Sequence, residues 1–259
     1  MDPDRIDRPV CILSRHGSPT GEGGSGPRPA PLTPHVDRPR VHFLHVGKTG
    51  GTAIRYGLQG HLAGARYELH FHPHHTTLGQ IPPGERVVFY LRDPISRFVS
   101  GFYSRQRRGQ PRYFVDWRPA ERKAFARFET PNQLAVALSS HDPREQHQAR
   151  QAMRAITHVR TFYSDWFGNR AFFLSRLQDV FFIGFQETLS DDFECLKRKL
   201  GVDPAAALPN DDINAHRNPS TVNRDLEWQA IVNLRAWYAE DDQFVDLCKG
   251  IAKRVNTRS

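Results

Sequence analysis

The sequence predicts an α/β domain built on a parallel sheet, and three observations carry that reading. The apolar runs VHFLHV (41–46), ERVVFYLRDP (85–94) and VFFIGF (180–185) have the length of buried strands. Each is followed by helical periodicity, the alternation that gives parallel strands with crossover helices. The first run is joined to its helix by a glycine loop, HVGKTGGT, in the strand–loop–helix order that an anion-binding turn requires.

The elements follow in order. Residues 1–38 are rich in Pro, Gly, Asp and Arg and poor in large apolar side chains, which predicts a disordered tail ahead of one domain spanning 39–259. Beyond the glycine loop, Ala53, Ile54, Tyr56 and Leu58 start a helix. The second strand stops at Arg92-Asp93-Pro94, where Asp93 suits an N-cap and Pro94 the first helical turn. Ile95, Phe98, Val99 and Phe102 then share one helical face. Residues 119–175 carry the patterns PAERKAFARF, TPNQLAVALSS and REQHQARQAMRAITHV, a mostly helical insert. The third strand leads into LSDDFECLKRKLG, a helix ending on Gly201. A Pro- and Asn-rich loop, LPNDDINAHRNPST, precedes a final helix from Asp225 to Val255.

Composition narrows the class. With 38% hydrophobic and 25% charged residues over 259 positions, the chain has the balance of a soluble globular protein with a real core. No apolar run is long enough to span a bilayer, and the N-terminus lacks the apolar stretch of a secretion signal. Cys11, Cys195 and Cys248 have no close spacing, so neither a disulfide framework nor a metal knuckle is expected, and a reducing, cytoplasmic setting is. The net charge of +8 is concentrated: residues 92–128 hold ten Lys/Arg against Asp93, Asp116 and Glu121, a local excess of +7. Such a stretch suits an anionic ligand, while no zinc-finger, RNA-recognition or helix-turn-helix signature points to nucleic acid.

The glycine loop has its glycines on an unusual side. The triphosphate pattern G-x-x-x-x-G-K-[ST] would place its first glycine at position 42, which is His42; the extra glycines, Gly50 and Gly51, follow Lys48. Backbone N–H groups at a helix head bind an oxyanion, and an adjacent lysine neutralises it. Gly50 and Gly51 permit close approach, and Thr52 offers a hydroxyl. In VVFYLRDPISRFVSGFY, Arg92 stands at the end of a buried strand, where a parallel sheet presents residues to its ligand crevice. Arg92 is thus placed to fork onto a phosphate. Ser100 lies about two helical turns further on, with Arg97 between them.

HVGKTGGT followed by FYLRDPISRFVSGFY resembles the sulfotransferases that use 3′-phosphoadenosine 5′-phosphosulfate, in the branch of the heparan sulfate O-sulfotransferases and many bacterial relatives. The likeness covers residues 41–104 and extends through FFIGFQETLSDDFECLKRKLG. It implies a phosphate-loop, three-layer fold with a central parallel sheet, and a first motif, Gly47, Lys48, Thr49, Gly50, Gly51, Thr52 and Ala53, around the 5′-phosphosulfate. It implies Arg92, Arg97 and Ser100 at the 3′-phosphate, and a late loop, NAHRNPST, closing over the nucleotide through Arg217, Asn218 and Ser220. The chain departs from the family at Ala53, where serine is common, and at Gly47, where proline is frequent. The product nucleotide would be 3′,5′-ADP, with no metal required.

Sulfuryl transfer to a hydroxyl needs a base, and histidine suits neutral pH. LHFHPHHTTLG (69–79) supplies His70, His72, His74 and His75 between the two motifs; His74 is favoured as catalytic, then His72, while Lys48 would stabilise the leaving phosphate oxygen. His45 reads as structural. The acceptor is expected on SRQRRGQPRYFVDWRPAERK (104–123), where Arg107, Arg108, Arg112, Tyr113 and Trp117 mix cations with aromatic faces suited to a polar or anionic saccharide or other small molecule. Two other readings stay open. An ATP-dependent small-molecule kinase would need a magnesium site. A non-catalytic polyanion-binding module would show salt-sensitive binding without group transfer.

Overall fold

A computed structural model describes residues 38–211 and 222–257. The expected tail and the candidate ligands Arg217, Asn218 and Ser220 lie outside the described residues.

The sheet has four parallel strands, β1 (Arg40–Leu44), β2 (Glu68–Phe71), β3 (Arg86–Leu91) and β4 (Val180–Phe185), in the order β2-β1-β3-β4. Three are the apolar runs read from sequence. The added edge strand β2 is ELHF, which pairs with β1 in register Arg40↔Glu68 through Phe43↔Phe71. Its weak apolar content reflects an edge position, half covered instead of buried on both faces.

Helices cover both faces of this sheet. Val41, Phe43, Val88, Tyr90 and Phe182 pack against α1 (Gly51–Leu58) and α8 (Leu189–Leu200). The alternate residues Leu44, Val87, Phe89, Leu91 and Ile183 face α6 (Ser164–Phe167), α7 (Arg170–Ser175) and α10 (Ala239–Val255). A second, all-helical core joins α2 (Pro94–Gln106), α3 (Pro119–Arg127), α4 (Pro131–Ala137), α5 (Pro143–Ala155) and α9 (Trp228–Trp237). Of the helical stretch expected over 119–175, α3, α4 and α5 lie in this core, whereas α6 and α7 pack on the sheet. Asp93 caps α2 by accepting from the Ser96 N–H at 2.8 Å, with Pro94 in the first turn.

The single final helix expected from Asp225 to Val255 is instead two, broken at Tyr238. The two halves serve different cores. Ala230 and Leu234 of α9 join the helical cluster, whereas Val245, Cys248, Ile251 and Val255 of α10 lie against the sheet. A straight helix could not reach both. Beyond α10, the Asn256 amide makes two bonds to β4, donating to the Ile183 carbonyl at 2.8 Å and accepting from the Ile183 N–H at 3.1 Å.

Candidate active site

The C-terminal ends of the four strands lead directly into the segments that carry Lys48, His74, Arg92 and Glu187, the side of a parallel sheet where ligands bind. After β1 the chain turns sharply. Thr49 donates its hydroxyl to the Val46 carbonyl at 3.0 Å and is buried, so of the expected ligands this side chain is committed inside the loop. Lys48 has φ 68 and Gly50 φ 91. The left-handed region is uncommon for a lysine, and such conformations persist where surrounding bonds over-determine them. Helix α1 then starts at Gly51 with no side-chain cap, leaving its leading N–H groups directed at the loop. Thr52 is half-buried and Ala53 buried on the inner face of the helix. A Cβ on Gly50 would meet Leu189 of α8 at 3.2 Å, so the loop lies pressed between two helix heads.

Arg92 reaches this loop from the end of β3. Its Nε donates to Ser96 Oγ at 2.8 Å and its Nη1 to the Lys48 carbonyl at 3.4 Å. Tyr163 clamps the Arg92 backbone, accepting from its N–H at 3.0 Å and donating to its carbonyl at 2.6 Å. Burial lowers the basicity of Arg92, Glu187 and Tyr163 oppose this, and Arg224 lowers it again. Lys48 retains some solvent contact, yet burial first, and then the charges of Arg92 and Arg107, push its ammonium down to about 7. The loop is therefore a place where positive charge is crowded. Ser100 is buried on α2, about two turns from Arg92.

Arg97 is not brought to this crowd. It is 2% exposed, ion-paired with Asp241 at 3.4 Å, bonded to the Thr161 carbonyl and stacked over Tyr163 at 4.7 Å. Its place between Arg92 and Ser100 in sequence turns it to another side of α2, into the packing with α10.

The histidines divide into two groups. His70 and His72 stand on the same face of the sheet as His42, whose Nδ1 shares a hydrogen bond with His72 Nε2 at 2.8 Å. Burial, then His70 and His42, hold His72 down to about 4, which makes it a weak base. His74 lies beyond the strand and stacks on His45, with ring centroids 3.7 Å apart and an interplanar angle of 35°. His45 in turn lies over the head of α1: a Cβ on Gly51 would fall 2.4 Å from His45 Cδ2. The His74 carbonyl accepts from Trp166 Nε1 at 2.7 Å. A Cβ on Gly47 would lie 3.8 Å from the Trp166 ring and 4.0 Å from His158 Nδ1. His158, Trp166 and Arg224 thus border the loop region without any motif of their own, and only the fold brings them there.

The expected acceptor segment is more internally bonded than its charge suggests. Arg105 is buried against Glu121 at 2.7 Å; burial works to raise that carboxyl, but hydrogen bonds from Arg105, Thr157 and Arg118 hold it down to about 2. Trp117 donates to the Arg105 carbonyl at 2.7 Å and packs on Phe125. Arg108 lies 4.4 Å over Trp117 and 3.7 Å from Asp116. Arg107, expected to serve the acceptor, lies near enough to Lys48 to depress it. Arg112, Tyr113 and Phe114 remain exposed. Among the described residues no helix is long and apolar enough to cross a membrane. No known protein family matches this chain, and no curated protein matches it.

Proposed function

We propose that this chain is a sulfotransferase that moves a sulfuryl group from 3′-phosphoadenosine 5′-phosphosulfate to a hydroxyl or amine, on a polar or anionic acceptor such as a saccharide. The observation that carries this reading is the meeting of Arg92 with the Lys48 turn at the uncapped head of α1, with His74 against the histidine that lies over that head. The phosphate-loop identity of the fold belongs to the same proposal.

The residues fit such a donor. Crowded cations lose basicity in the free protein, and an anion with several charges relieves that crowding. Helix α1 starts with no side-chain cap, so its leading N–H groups are free to meet an anion at the loop. When bound, the donor supplies a sulfur whose bond to the bridging phosphate oxygen is ready to break.

The chain's own groups do the rest. Lys48 and the loop amides hold positive charge where the phosphate oxygen gains negative charge. Arg92 and Ser100 hold the 3′-phosphate, and Arg92 keeps guanidinium N–H groups beyond those it shares with Ser96 and Lys48. His74 takes the proton of the acceptor hydroxyl as that oxygen bonds to sulfur; the bridging bond breaks and its electron pair leaves with 3′,5′-ADP. A kinase would need a carboxylate for magnesium, and Asp93, next to Arg92, caps α2 and pairs with Arg235 at 2.8 Å.

Incubation with donor labelled in its sulfuryl group and a panel of hydroxyl and amine acceptors, read by mass spectrometry, tests the proposal. Sulfated acceptor with matching release of 3′,5′-ADP supports it. Magnesium-dependent ATP consumption would make the chain a kinase. Tight, salt-sensitive polyanion binding without transfer would make it a binding module.

A further inference from the structure

The structure assigns His45 a positioning role: it fixes the ring of His74 over the head of α1, so that the two histidines work as one unit. The inference rests on the sulfuryl-transfer reading for its chemistry, but the pairing stands on geometry alone. His74 follows edge strand β2, is outside any regular element and is exposed. Two contacts hold it, and a glycine supports one of them. Trp166 holds the His74 backbone at its carbonyl. His45 stacks on its ring at a centroid separation of 3.7 Å, nearer than any other ring pair around it. Gly51, which lacks the Cβ that would fall 2.4 Å from His45 Cδ2, lets the His45 ring settle onto the helix head. The order of dependence is Gly51, then His45, then His74.

That chain links the base to the anion site. The helix head that turns its uncapped amides toward the loop also seats the histidine that holds the base, so donor and base share one origin of placement. A misplacement of about 1 Å at a reacting group costs up to roughly 10²-fold in rate. A ring held on one face by another ring, and by its backbone at the other end, is restrained against that loss. His42, by contrast, ties His72 into a separate cluster with His70 and Glu85, in which only His42 is buried.

The test compares His45→Ala, His45→Phe, His74→Ala and the double variant His45→Ala/His74→Ala. In the full-length protein, His45→Ala should lower kcat about 10- to 100-fold with 3′,5′-ADP affinity, read by calorimetry, nearly unchanged. His45→Phe, which keeps a flat ring in the same place, should recover most of the loss. In the His74→Ala background, His45→Ala should cost little more, because residues acting as one unit are not additive. Independently of activity, the ring resonances of His74, assigned by their loss in His74→Ala, should move in His45→Ala while the rest of the spectrum stays folded. Additive losses in kcat, or His74 resonances unmoved by removal of His45, overturn the inference. If the wild-type protein transfers no sulfuryl group, the functional reading fails, and the resonance measurement still decides whether His45 holds His74.

Discussion

The guanidinium of Arg92 donates to the carbonyl of Lys48 across 3.4 Å, joining residues 44 positions apart in sequence. This contact ties the end of β3 to the strained turn after β1. It brings the two halves of the candidate anion site together.

From this follows the first expectation. The protein should bind 3′,5′-ADP more tightly than 5′-AMP by about one to two decades, the worth of a charge-assisted bidentate contact of roughly 1.5–3 kcal/mol. Arg92→Ala should erase most of that preference. Calorimetry with both nucleotides checks it, and equal affinities in the wild-type protein would remove the 3′-phosphate assignment.

Lys48 makes anion binding depend on pH. Its ammonium is pushed down to about 7 in the free protein, first by burial and then by Arg92 and Arg107. Below that value it is charged and ready; above it, the free protein must take up a proton as the anion binds. Affinity for 3′,5′-ADP should fall as pH rises from 7 to 9, by at most about one decade per pH unit for one linked proton. Calorimetry at pH 8 in buffers of different ionisation enthalpy should register proton uptake, and Lys48→Ala should abolish both the uptake and the transfer reaction.

Arg97 should prove structural. Arg97→Ala leaves Asp241 buried without its cation, at a cost of about 3–5 kcal/mol. Asp241 is already pushed up to about 6 by burial, against the opposing pull of Arg97. Its native form thus holds a proton more readily than the unfolded chain, so the penalty is smallest in acid and largest above pH 6. Urea unfolding at pH 5 and pH 8 reads the difference. A loss of nucleotide discrimination with unchanged stability would return Arg97 to the ligand site.

Arg107 and the loop tip should separate donor from acceptor. Arg107→Ala is expected to weaken 3′,5′-ADP binding, because its charge acts on Lys48. Arg112→Ala and Tyr113→Ala, at exposed positions, are expected to raise the acceptor KM and leave nucleotide affinity alone. The Arg112 effect should shrink with salt, since exposed charges are screened beyond about 8–10 Å near physiological ionic strength. Steady-state kinetics at two salt concentrations decide between these assignments.

The parts legible in sequence are those fixed by local pattern. The strands β1, β3 and β4 are continuous apolar runs because both their faces are covered, and the Asp93-Pro94 start of α2 is local chemistry. Strand β2 was hidden because only one of its faces is covered, so Leu69 and Phe71 alternate with exposed Glu68 and His70. The buried pairing of Arg97 was not legible for a related reason. Its partner Asp241 lies 144 residues away and is supplied by another helix. The His45–His74 stack depends on the parallel pairing of β1 with β2, a contact that neither segment encodes alone.

Asn256 gives β4 an imitation neighbour. A strand at the rim of a sheet offers its free N–H and C=O groups to any extended chain that passes, and sheets left open in this way recruit copies of themselves. By donating to and accepting from Ile183, one side-chain amide does at that point what a fifth strand would do. The residue following α10 therefore acts as a guard against growth of the sheet. Its loss would be felt less in the fold of a single molecule than in the tendency of many to join edge to edge.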